Sequence, residues 1–229
     1  MKQDIILVFV SVFFSFVLAE SIVRVAGYEP WNPRPYFPQF KNVEVVFEPD
    51  PVLGWRNRPG RFLFDRKDGR TVIQTNLPDG SRYTGPSPDG ATKALIFVGG
   101  SYTYGWGLSD EETLPWRIQA ALPQLRVKNF GTGGYGSYQS LLGIEKILAT
   151  ERLPPTIFVY GFNDFHYARD VAREDWLYAM NAYSASGEPV YMPYVSLDAR
   201  GRLRRHPPEA YGGWPLRRFS ALVALAEKT

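Results

Sequence analysis

Two strand-like runs, the first wholly apolar and the second apolar after its leading threonine, constrain this 229-residue chain more than any other feature. Ala94–Val98 (ALIFV) and Thr156–Tyr160 (TIFVY) each end in glycine. A strand apolar at every position reads as one buried on both faces, the situation of a parallel sheet. Between the two runs the pattern gives a helix at Leu114–Leu122, a short strand at Leu125–Asn129 and a helix at Gln139–Glu151, the last with apolar residues at 141, 142, 144, 147 and 148. Ser109 reads as the cap of the first helix, with Asp110, Glu111 and Glu112 at its positive end. Strand, helix, strand, helix, strand over about 70 residues marks an α/β domain with a parallel sheet.

A different signal opens the chain. Ile5–Ala19 contains only apolar residues and serine. Fifteen helical residues give about 22 Å, short of a roughly 30 Å hydrocarbon core. If the helix continues to about Gly27, with Glu20 and Arg24 pairing four residues apart at the interface, it is an uncleaved anchor. Val17 and Ala19 suit a cleaved signal peptide instead, and a buried core helix is the third reading. Either of the first two places the remainder outside the cytoplasm, facing the periplasm or cell exterior. The expected organisation is residues 1–27 as membrane anchor or signal segment, 28–92 as a Pro-rich linker and small β subdomain, and 93–229 as the main domain.

Within 28–92, prolines at 30, 33, 35 and 38 exclude helix at the start, so the segment begins extended. Short β-like runs follow at Val43–Phe47, Arg61–Phe64 and Thr71–Thr75, the last two joined by the turn-prone DRKDG. They form either a lid over a site or a cover for one sheet edge. Towards the end, residues 200–229 carry seven Lys/Arg against two Glu, which reads as a solvated basic loop or as a patch for an anionic glycan or lipid head group. The overall net charge of +3 is too small to argue for nucleic acid. The absence of cysteine removes disulfide scaffolds, thiolate metal sites and cysteine nucleophiles. With two histidines and no nucleotide or flavin motif, neither metal nor cofactor is expected.

Chemistry-bearing residues gather where the strands end, which is where ligands bind in parallel sheets. The first run passes into Gly99-Gly100-Ser101, where glycines let the backbone turn sharply and present a hydroxyl. The second strand passes into Asn129-Phe130-Gly131-Thr132-Gly133-Gly134, where N–H groups can approach an oxyanion. The third passes into Gly161-Phe162-Asn163-Asp164, an amide donor beside a carboxylate.

These tracts resemble blocks I, II and III of the SGNH (GDSL-like) hydrolase family, and most nearly its membrane-anchored bacterial members. There a stretch like DPVLGWR…P precedes the domain and a tract like GGSYTYGWGL opens it. The likeness covers roughly residues 48–170. It implies a flavodoxin-like three-layer α/β/α sandwich. It also implies Ser101 as nucleophile towards an ester carbonyl, with the Ser101 N–H, the Gly134 N–H and the Asn163 side chain holding the oxyanion. Gly100 departs from the Asp of the GDSL form and leaves the serine's role intact.

The family's base, an Asp-x-x-His, is missing from this sequence. His166 lies close behind the third block, and His206 stands in a Pro-flanked basic stretch; both read as ordinary surface or loop histidines. Thr229 falls inside a new helical pattern (RRFSALVALAEKT). The expectation is an N-terminal piece of a longer hydrolase, inactive by itself. Three functions stay open: an esterase or O-acyl esterase acting on an acylated small molecule, glycan or lipid; an O-acyltransferase of cell-surface polysaccharide using the same serine; and a binding module without catalysis. Tyr102, Tyr104, Trp106 and Tyr135 either stack on sugar rings or pack the core.

Overall fold

The computed structural model describes residues 2–31, 46–173, 176, 177, 180, 190–211 and 213–228. The linker prolines at 33, 35 and 38 and most of the run Val43–Phe47 lie outside the described residues.

The first helix, α1 (Lys2–Val25), is one unbroken element. Its stretch Asp4–Val25 is long and apolar enough to cross a membrane, and none of that stretch is buried within the protein. The reading as a core helix is thereby excluded. Glu20 and Arg24 pair at 2.6 Å, and the helix stops where Gly27 takes a left-handed conformation (φ 89°).

Two antiparallel pairs follow. β1 (Phe47–Asp50) and β2 (Gly54–Asn57) form a hairpin whose turn is set by Asp50, its carboxylate accepting from the N–H groups of Val52 and Leu53. β3 (Gly60–Asp65) and β4 (Thr71–Asn76) pair across the DRKDG turn as the sequence predicts. The alternate residues Phe62, Phe64 and Val72 are buried with Val46 in a small core.

The parallel sheet contains β5 (Ala94–Gly99), β6 (Arg126–Asn129) and β7 (Thr156–Gly161) in the order β6-β5-β7. This is the order of the first three strands of a flavodoxin-like sheet, with its switch point between the first and third. The crossovers β5-to-β6 and β6-to-β7 run in opposite directions across the sheet. Right-handed connections therefore put α3 (Leu114–Ala121) and α4 (Ser137–Thr150) on opposite faces, giving three layers. Ile96 and Val98 of β5 pack on Ile147 of α4. Arg82, bridged to Asn76 on one side and Asn129 on the other, ties the β3–β4 pair to the β6 edge. Of the two sequence readings, this pair therefore covers a sheet edge.

Several expectations need correction. TIFVY is not buried on both faces: among the described residues β7 pairs only with β5, and Ile157 is 67% exposed. Ser109 does not cap α3; it caps a separate 3₁₀ turn at Asp110–Glu112, while the Thr113 side chain caps α3 through the Trp116 N–H. Leu141 and Leu148 of α4 face solvent, because the buried face of that helix carries Tyr138, Gln139 and Ser140 as well as Ile147. The supposed basic loop contains a long hairpin, β8 (Val190–Leu197) with β9 (Leu203–Tyr211), whose first strand lies against β2, α4 and the short helix α5 (His166–Asp170). His206 is a strand residue there, its ring stacked 4.2 Å from that of Tyr194. The final helix, α6 (Ala221–Lys228), packs against α1.

Candidate active site

Block I begins at Gly99, whose φ of 150° suits glycine alone. A Cβ there would stand 2.2 Å from Thr103 Oγ1, and one on Gly161 would stand 2.0 Å from the same atom. The Thr103 side chain thus sits between the ends of β5 and β7, and both strands must end in glycine to admit it. Ser101 opens the single turn α2 (Ser101–Tyr104), which closes through Gly105 in the left-handed region. Ser101 is half-buried.

The block II loop is held from three sides. Thr132 donates its N–H to Gly99 O at 2.9 Å, which fixes the loop over block I. Asn129 donates to the carbonyls of Thr103 and Tyr104 while accepting from the Gly131 N–H. The β1–β2 hairpin supplies the third support. Trp55 Nε1 donates to Gly133 O at 2.9 Å, Asn57 Nδ2 to Gly131 O at 3.0 Å, and the Tyr135 hydroxyl to Trp55 O. Its DPVLGWRN tract is a buttress for the loop. Gly131 can be nothing larger, since a Cβ would meet Tyr104 N at 2.4 Å. Gly134 is buried with φ 88°, against Trp55 and Met180.

Block III leaves β7 and turns at once into α5. Asn163 is half-buried, its carbonyl accepting the His166 N–H, and Asp164 caps the Phe165 N–H. Ser101, Gly134 and Asn163 share one property. Among the described residues, neither the N–H groups of Ser101 and Gly134 nor the Asn163 side-chain amide hydrogen-bonds to protein, and the Ser101 hydroxyl has no partner either.

His166 overturns its reading as a surface histidine, being 1% exposed. Its Nδ1 shares a 2.6 Å hydrogen bond with the Tyr160 hydroxyl, which donates to Ser137 Oγ at 2.8 Å. Burial, reinforced by the Arg169 guanidinium, lowers its pKa to about 4, against the opposing pull of Asp170 and Asp164. It is therefore neutral at pH 7. Arg169 donates to Tyr135 O at 2.8 Å and lies between the rings of Phe165 and Trp176. His166 Nε2, Arg169 Nη1 and Tyr135 O converge 3.1 Å from the point where a Cβ on Gly100 would stand. Imidazole and guanidinium thus occupy the surroundings into which a side chain at position 100 would project. The i, i+3 spacing of His166 and Arg169 directly after block III is the sequence signal that would have put both on one side of a helix facing block I.

Of the four aromatics left open, Tyr104 and Tyr135 are buried, and Trp106 packs with Phe47, Phe64 and Tyr104. Tyr102 differs, being 79% exposed with its ring 6.1 Å from that of Phe165. Phe162 and Tyr167, which follow β7, are two further exposed rings, 5.5 Å from each other.

No family model and no curated protein matches the chain. Among solved structures it is similar to a mutant of the esterase AlinE4, with 19% identity and a TM-score of 0.32 over 42% of this chain. The likeness spans about half of that esterase, 53% of its length.

Proposed function

We propose that this chain is an ester-hydrolase module of the SGNH type, with Ser101 as nucleophile. The observation that supports it most is that the three tracts follow the same ends of adjacent parallel strands, each with a polar group that has no protein partner among the described residues. In this reading Ser101 Oγ attacks the ester carbonyl and gives its proton to a base. The oxyanion is held by the N–H groups of Ser101 and Gly134 and by the Asn163 amide. Collapse expels the alcohol and leaves an acyl-serine, which water hydrolyses to the acid. In this reading the base is a group other than His166, whose Nδ1 is engaged by the Tyr160 hydroxyl and whose ring shares no hydrogen bond with Ser101 among the described residues. α1 serves as a membrane anchor, and the substrate is an acylated glycan or lipid on the far side of that membrane. The exposed rings of Tyr102 and Phe162 at the strand ends favour a glycan, since sugars stack on exposed aromatic faces.

Hydrolysis of p-nitrophenyl acetate by the 229-residue chain, with and without added imidazole as external base, tests this. Without imidazole the expected rate equals that of Ser101→Ala. With imidazole a Ser101-dependent rate appears, and Asn163→Ala lowers it by about 10²–10³, the usual cost of one oxyanion donor. An imidazole-driven rate identical in wild type and Ser101→Ala refutes the nucleophile. Acyl transfer to a sugar hydroxyl uses the same residues and is recognised by an O-acylated sugar product in place of free acid.

A further inference from the structure

Where α1 ends, the protein folds back onto it. Glu20, within the last turn and a half of the helix, accepts hydrogen bonds from the N–H groups of Ala221 and Leu222 at 2.9 Å and from Ser220 Oγ at 2.7 Å, so it caps α6. Arg24, paired with Glu20, donates to the carbonyl of Phe219 at 2.9 Å. The next stretch is tied in the same way. The Trp31 N–H donates to Arg217 O at 2.9 Å, and the Arg217 guanidinium lies over the Trp31 ring while pairing with buried Glu227. The segment 214–222 is thus fixed to the end of α1 through both backbone and side chains.

This fixes its height. Glu20 is five residues before Val25, about 8 Å along the helix axis at 1.5 Å per residue. A segment bonded to Glu20 and Arg24 therefore lies at the outer end of the apolar helix and not beyond it. The side chains it presents there are ones a water-facing segment has no use for. Phe219 is 76% and Leu216 62% exposed, with Trp214 beside them and Val25 and Tyr28 exposed on α1 and its exit. Aromatic and apolar side chains at this depth, with arginines among them, are the composition of a membrane–water interface.

The geometry points to a second membrane contact: segment 214–220 is an interfacial platform that inserts Leu216 and Phe219 into the headgroup boundary of the bilayer that α1 crosses. The occupant of this surface is the lipid, because the platform is continuous with α1 and bonded to its last turns. The consequence is orientational. A domain held by one helix and a free linker can tumble over the membrane, whereas one held by a capped helix pair and an inserted platform keeps one face towards it. This inference rests on the reading of α1 as an anchor.

The absence of cysteine makes the test direct. Single-cysteine variants Phe13→Cys, Leu216→Cys, Phe219→Cys and Leu197→Cys, each at an exposed position, are spin-labelled in the full chain and reconstituted into phosphatidylcholine–phosphatidylglycerol vesicles. Collision of each label with oxygen, which concentrates in lipid, is compared with collision with a water-soluble nickel chelate. Labels at 13, 216 and 219 are expected to show oxygen-to-nickel ratios at least about threefold above the label at 197. Adding Glu20→Ala should lower the ratio at 219 and leave that at 13 unchanged. Labels at 216 and 219 that match 197 while 13 remains in lipid overturn the platform and leave the anchor standing. A label at 13 that also matches 197 overturns both.

Discussion

At neutral pH the His166 imidazole is uncharged because the ring is buried and a guanidinium lies beside it, and that makes folding sensitive to acid at one residue. In the unfolded chain the group titrates at its ordinary 6.5, and in the folded protein at about 4. Between these values the unfolded state binds more protons, so stability falls as the pH falls. The contribution is fully present above about 6.5, declines towards about 4 and is flat below, a total of roughly 1–3 kcal/mol. His166→Gln should remove this component. Urea unfolding at pH 7 and pH 4.5 would then show a smaller stability loss in the variant than in the wild type, and equal losses would contradict the burial argument. That Ser101, Gly134 and Asn163 follow strand ends was legible at this scale, because glycine and polar residues break the apolar runs there. His166 was not, since a histidine's surroundings depend on what folds over it.

Elements were legible in proportion to how local their causes are. The β3–β4 hairpin, β5, β6 and α4 follow from periodicity and turn residues within each segment. The β8–β9 hairpin was missed because its alternation is blurred by prolines at 193, 207 and 208 and by arginines on the solvent face. The cap of α3 shifted because a 3₁₀ turn claims Ser109 and the acidic run, and the reason lies in another element. Asp110 is buried against Arg82, whose Nε meets Asp110 Oδ1 at 3.0 Å. Its remaining nitrogens donate to the carbonyls of Tyr104, Gly105 and Leu108. Its own N–H donates to Asn129 O at 2.7 Å. One residue, through its side chain and its backbone, therefore joins β4, β6, the 3₁₀ turn and the end of the turn that bears Ser101. Arg82→Met strands a buried carboxylate and several carbonyls, and should destabilise the protein by about 3–5 kcal/mol. Arg82→Lys should recover little of this, because an ammonium has no planar fork to span the four acceptors. Thermal unfolding by circular dichroism measures both, and a loss under about 1 kcal/mol in Arg82→Met would show that the network holds nothing together.

For the whole molecule the informative quantity is where exposed apolar surface collects. Part of it is α1 with the exposed segment at its end, the surface assigned above to a membrane contact. A second stretch runs along β7 and past it, through Ile157, Tyr160, Phe162, Tyr167 and Val171. β7 is also the strand whose second edge has no strand partner among the described residues. An apolar edge strand with free N–H and C=O groups is a template for pairing with another chain. Periodicity alone does not reveal this, because an apolar run reads the same in the middle of a sheet as at its border. The expectation is self-association of the 229-residue chain through β7 even in detergent micelles that cover α1. Ile157→Lys places a charge on that edge at a position already in solvent, so it should change stability by no more than about 0.5 kcal/mol while shifting the population towards monomer. Sedimentation velocity in detergent reads the population, and urea unfolding reads the stability. A size distribution that Ile157→Lys leaves unchanged would mean that association runs through another surface, with α1 the next to examine by the same substitution on its exposed face.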